Sequence, residues 1–78
     1  MIGKMLKKMR TDSGKNQMEL SNLLSVNQTT LSGWERGYRE PTFSSIQKIA
    51  DLCNFKIYFE NNRTKEKIEL KDLNRKDI

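Results

Sequence analysis

Gln28, Ser32 and Arg36 stand four residues apart, with Thr29 and Gly33 beside them. On a helix of 3.6 residues per turn, that spacing lines one side with an amide, a hydroxyl and a guanidinium. These groups read a hydrogen-bonding edge; none is a strong nucleophile or base. Bond-breaking chemistry has little to draw on elsewhere. The chain has no histidine, and Cys53 is its single cysteine. Within one chain this excludes a disulfide framework, a Cys/His zinc site and Ser-His-Asp or Cys-His catalysis. The carboxylates fall singly on predicted helix surfaces, so we expect no enzyme, no catalytic residue, no metal and no cofactor. Cys53 lies on an apolar helix face and reads as a small buried hydrophobe, not a redox switch.

The charge points to the class of partner. The 78 residues carry a net charge of +5, with nine Lys/Arg against five Asp/Glu in residues 1–59 and six against five thereafter. A basic excess in the folded part suits a polyanion. The length makes one domain, and one so short starts out marginally stable, which dimerisation would relieve. No run approaches the roughly 20 apolar residues of a membrane span, and residues 1–14 lack the apolar centre of a signal peptide. A cytoplasmic location is the expectation.

Four helices must position the polar row. Ile2, Met5, Leu6 and Met9 share an arc opposite Lys4, Lys7 and Lys8, predicting a first helix near residues 1–12 that Gly14 stops. Met5 and Met9 read as core filler. Asn16, with Glu19 three residues on, resembles a capping box for a short helix over 17–24. Leu20, Leu23 and Leu24 make its buried stripe, and Ser21 is small enough for close helix contact. Only Ser25 and Val26 precede the next cap, Asn27. The helix over 28–36 turns Leu31 and Trp34 inward, and Gly37 ends it. A fourth runs from the cap Thr42 to about Cys53, with Phe43, Ile46, Ile49, Ala50 and Cys53 on one face. From Phe55 the period drops to 2: Phe55, Ile57 and Phe59 alternate with polar neighbours, a strand signal. Ile68 and Leu70 supply a second strand across a turn at Asn61-Asn62, although residues 65–76 also read as a charged helix. The hairpin is the preferred reading, and residues 74–78 read as a disordered tail.

Two short helices joined by a three-residue turn, the second with a polar outer face, form a helix-turn-helix unit. The second helix packs one side on its domain and offers the other to the DNA major groove. A glutamine amide there bonds adenine N6 and N7, and threonine offers a methyl to thymine. The run Asn16-Gln17-Met18-Glu19-Leu20-Ser21, then Val26-Asn27-Gln28-Thr29-Thr30-Leu31-Ser32-Gly33-Trp34-Glu35-Arg36-Gly37, then Pro41 through Ile46, resembles the lambda repressor/Cro-type (Xre-like) family over roughly residues 2–55. The resemblance implies a mostly α, four-to-five-helix lambda-repressor-like DNA-binding domain, here with a short C-terminal β-strand or hairpin. Its helix-turn-helix is 17–36 and its recognition helix 28–36. It also implies base reading by Gln28 and Thr29, with Ser32 and Gly33 next. Phosphate contacts fall to Asn16, Gln17, Asn27, Arg36, Tyr38 and Arg39, with Gln17 also bracing the recognition helix; loop packing is the other reading of Tyr38. Arg10 and Glu35 match a pair that forms an internal salt bridge. Two departures stand out: Ser25 occupies a turn position usually held by glycine, and Gly33 offers no side chain.

These readings divide the chain into a DNA-binding domain (1–54), a strand or hairpin that dimerises (55–73) and a tail (74–78). Phe55, Ile57 and Phe59 are too apolar for a free edge and are expected to meet a second copy. The expected function is transcriptional regulation, most simply repression by a homodimer on double-stranded DNA, in a bacterial or phage-encoded protein. The alternative is an antitoxin whose residues 55–78 hold a toxin partner.

Overall fold

The computed structural model describes residues 2–69. Four helices, α1 (Ile2–Asp12), α2 (Gln17–Leu24), α3 (Gln28–Arg36) and α4 (Phe43–Leu52), precede a hairpin of β1 (Tyr58–Glu60) and β2 (Lys67–Glu69). The fold is therefore mostly α with a short C-terminal antiparallel hairpin. Leu70, the outer part of the alternative helix and residues 74–78 lie outside the described residues.

All four helices stop by one device. An amide two or three residues past the last helical residue reaches back five residues: Lys15 to Arg10 O, Val26 to Ser21 O, Tyr38 to Gly33 O and Phe55 to Ala50 O, at 2.8–3.2 Å. Each closure needs one left-handed residue. Gly14 and Gly37 supply two, and Asn54 a third. The fourth is Ser25, at φ 59° and ψ 40°, a conformation that costs a side-chain-bearing residue about 1–2 kcal/mol. Helix starts are equally local. Asn16 Oδ1 accepts from the Glu19 amide at 2.8 Å while the Asn16 amide donates to Glu19 Oε1 at 2.9 Å, which completes the capping box. Thr42 Oγ1 caps α4 by accepting from the Ser45 amide at 3.1 Å.

The core is Leu6, Leu20, Leu31, Trp34, Ile49, Ala50 and Cys53, with Ile2, Met9, Leu24, Val26, Ile46 and Leu52 packed at its edge. Three residues expected inside are not. Met5, Leu23 and Phe43 are more than half exposed. For Leu23 the reason is the angle: α2 turns Leu20, Ser21 and Leu24 inward, and Leu23 lies about 100° round from Leu24. For Met5 the reason is Gly3. A Cβ on Gly3 would lie 2.5 Å from Glu35 O and 2.6 Å from Trp34 O, so α1 meets α3 backbone to backbone at that point. This contact rotates the buried stripe of α1 to Gly3, Leu6 and Arg10, about 80° from the apolar arc of Ile2, Met5, Leu6 and Met9.

The strand also begins later than expected. The Phe55 amide closes α4, so Phe55-Lys56-Ile57 lies outside the ladder, and pairing starts at Tyr58. Tyr58 faces Glu69, Phe59 faces Ile68 and Glu60 faces Lys67. Asn61 builds the turn, its Oδ1 accepting from the amides of Arg63 and Thr64 at 2.9 and 3.1 Å.

Candidate nucleic-acid interface

The position of α3 is set from beneath by one carboxylate. The Glu35 side chain is 2 % exposed. Arg10 Nε donates to its Oε2 at 2.7 Å, and Arg10 Nη2 and Gln17 Nε2 both donate to its Oε1 at 3.0 Å. Arg10 Nη1 takes the Lys15 carbonyl at 3.0 Å. The Glu35 hydrogen bonds raise the Arg10 pKa above its ordinary value, with burial opposing them. Both charges are thus consumed within the fold, and Arg10 is not a surface cation. Gln17 carries the network outward: its Oε1 accepts from Gln28 Nε2 at 3.4 Å. A buried ion pair, a half-buried amide and an exposed amide therefore join α1, α2 and both ends of α3.

The outer face of α3 offers what that scaffold holds. Gln28 and Thr29 are exposed and Ser32 is half-buried. Asn27 precedes Gln28 in extended conformation, but its side chain makes no capping bond; its carbonyl accepts from the Thr30 amide at 3.0 Å, which leaves the Gln28 and Thr29 amides without a side-chain cap. Asn16 differs, because its oxygen already caps α2. At the other end Arg36 Nη2 donates to Tyr38 Oη at 3.4 Å, and its guanidinium lies 5.0 Å from the centre of the Tyr38 ring. Tyr38 is 74 % exposed, so it packs against Arg36 and not into the core. Gly33 is buried, covered by the methylenes of Arg39. The structure thus brings Gln17, Asn27, Gln28, Thr29 and Ser32 along one flank of the unit and Arg36, Tyr38 and Arg39 at its end. Asn16 is held to its cap, and Gly33 is not an open position.

Phe55, Ile57 and Phe59 are elsewhere. With Ile2, Met5 and Phe43 they line an apolar groove of about 630 Å³ between α1, α4 and the arm before β1, and Lys4, Lys8 and Lys56 also border it. Two features had escaped the sequence reading. Gly3 had a legible signal, since it stands on the Arg10 side of the helix wheel. The Arg39–Gly33 contact had none, because it depends on how the chain folds back after Gly37. Among the described residues no group of three or more His, Cys, Asp or Glu could hold a metal ion. Among the described residues no helix is long and apolar enough to cross a membrane.

Two short helices joined across a left-handed turn, with an outward polar face on the second helix, define a class, and comparison agrees. The sequence profile described as helix-turn-helix matches residues 6–59, and the chain belongs to that family, in its lambda repressor/Cro (Xre-like) form. It is similar to the HTH-type transcriptional regulator ImmR of Bacillus subtilis (strain 168), 36% identical over 53 residues that make up 68% of this chain and 42% of that protein. The chain thus spans less than half the length of this relative. No solved structure matches it significantly.

Proposed function

We propose that this chain is a sequence-specific DNA-binding transcriptional regulator, a repressor that binds as a homodimer with α3 in the major groove. One observation carries the reading. The inner face of α3 is fixed by Leu31, Trp34 and the Arg10–Glu35–Gln17 network, while Gln28, steadied by Gln17, and Thr29 stand exposed on the outer face. A helix that reads base edges needs that division, because a reader that moves loses discrimination. Gln28 and Thr29 are the principal base readers, with Ser32 beside them. Gln17, Asn27 and the amides at the start of α3 hold one phosphate strand; Arg36 and Tyr38 hold the backbone at the other end. The relative's name, a transcriptional regulator, supports the assignment.

The partner proposed for the apolar groove is a second copy. Among the described residues β1 pairs only with β2, so its outer edge is open, and that edge continues into the groove through Phe55 and Ile57. Exposed Phe59 and Ile68 beside an open edge suit antiparallel pairing of β1 with its two-fold mate. Such a dimer would set two α3 helices on half-sites about 34–36 Å apart. In the antitoxin reading a toxin takes this surface instead.

Fluorescence anisotropy of the full chain tests the reading, with DNA from upstream of its own coding region against a scrambled duplex over a salt series. Tight binding that prefers the upstream duplex and weakens steeply with salt is the expected result. Equal, weak binding to both would overturn it.

A further inference from the structure

Gly33 lies on the outer side of α3, about 40° round from Thr29 toward Thr30 on the helix wheel, yet it is buried. Arg39 covers it. A Cβ at position 33 would lie 3.3 Å from Arg39 Cδ, 3.4 Å from Cγ and 3.8 Å from Cβ. The arginine's stem therefore fills the space that a side chain at 33 would enter. The backbone enforces this arrangement: after Gly37 the chain folds back, and the amides of Tyr38 and Arg39 both donate to Gly33 O, at 2.9 and 3.3 Å.

The arginines of the helical unit differ in what they have left to offer. Arg10 is consumed by Glu35 and the Lys15 carbonyl, and Arg36 is stacked on Tyr38. Arg39 is exposed, and among the described residues its guanidinium has no hydrogen-bond or ion-pair partner. A phosphate contact at the groove rim needs charge but no particular residue at position 33. A stem laid across the outer face of the recognition helix needs the glycine.

We propose that Arg39 is a base-reading residue, replacing the absent side chain of Gly33 with its own guanidinium and reading a guanine in the major groove. The proposal rests on α3 being the helix that enters that groove. The fork of an arginine matches guanine O6 and N7, a pairing that discriminates by about 5- to 150-fold against the wrong base. The two halves of the device depend on one another, since a larger residue at 33 must push Arg39 aside.

Binding-site selection from a randomised duplex pool tests this, using the full chain as wild type, R39A and G33Q, each first checked for cooperative melting. The expected wild-type consensus has one guanine per half-site that R39A no longer selects, while the bases read by Gln28 and Thr29 persist. G33Q is expected to change the preference at that same pair. R39A, at an exposed position, carries the test by itself should G33Q fail to fold. Overturning the proposal takes an R39A consensus unchanged at every position, with affinity lowered uniformly; α3 would then still be the reading helix, and Arg39 a phosphate contact. A wild-type chain that selects no sequence would overturn the reading of α3 and this proposal with it.

Discussion

Replacing Glu35 with glutamine keeps the shape of the side chain and removes its charge, and the loss should far exceed that of an ordinary hydrogen bond. Glu35 accepts three hydrogen bonds at 2.7–3.0 Å with its side chain 2 % exposed, and the Arg10 side chain facing it is 10 % exposed. E35Q leaves the Arg10 guanidinium buried opposite a neutral amide whose NH2 faces its donors. Removing one partner of such a pair costs about 3–5 kcal/mol. For 78 residues the whole unfolding free energy is about 4–12 kcal/mol, so E35Q should lie near the limit of folding. R10K, which keeps the charge but cannot span both carboxylate oxygens, should lose less. R10M with E35L, which removes both charges, should recover much of the E35Q loss. Trp34, the single tryptophan and 8 % exposed, reports unfolding in urea by its fluorescence. An E35Q midpoint shift equivalent to less than about 1 kcal/mol, with an unchanged slope, would refute the claim that this pair seats α3.

Other expectations follow from particular atoms. Ser25→Gly should relieve a left-handed backbone and raise Tm by a few degrees, at roughly 4–8 °C per kcal/mol for a chain of this size. Calorimetry checks it, and a fall in Tm would contradict the turn geometry. Gly3→Ala should cost about 1–3 kcal/mol, because the added Cβ meets backbone oxygens that cannot step aside; urea unfolding measures this. Phe59→Lys, at a position 52 % exposed, should leave the melting of the monomer nearly unchanged and abolish the dimer in sedimentation at tens of micromolar. The pH dependence of Arg10 is set by its raised pKa. A cation raised in the folded state contributes stability below its unfolded pKa and loses it only as pH passes the folded one. Both values lie above the working range, so the stability gap between wild type and R10M/E35L should not change between about pH 7 and 9 through Arg10.

The helical frame was legible because its signals are local. Asn16 with Glu19, Thr42 after Pro41, and Gly14 and Gly37 each fix a boundary within a few residues, and α2 and α3 begin and end where those signals fall. Ser25 was legible as a strained position for the same reason: three residues between two helices leave the backbone few shapes. What the sequence hid was rotation about the helix axes and contact across distance. Met5 and Leu23 look like core by period, but Gly3 and Ser21 decide which arc of each helix packs. The hairpin was visible in the alternation from Phe55, yet its first three residues are diverted, one of them to close α4. In the interface, the side chains of α3 were legible as a polar row. The link from Glu35 through Gln17 to Gln28, and the cover of Arg39 on Gly33, required three-dimensional placement.

The central claim is that Gln28 reads adenine from the major groove, and one substitution in the DNA addresses it most directly. On the duplex that the chain selects, 7-deazaadenine at the base pair assigned to Gln28 removes the N7 acceptor from the major groove and leaves pairing and the minor groove intact. Anisotropy should show a loss of affinity that is part of the Gln28→Ala loss on the unmodified duplex, because the N6 bond remains, and Gln28→Ala should lose nothing further when the base is replaced. Unchanged affinity for the deaza duplex, or fully additive losses, would contradict the claim.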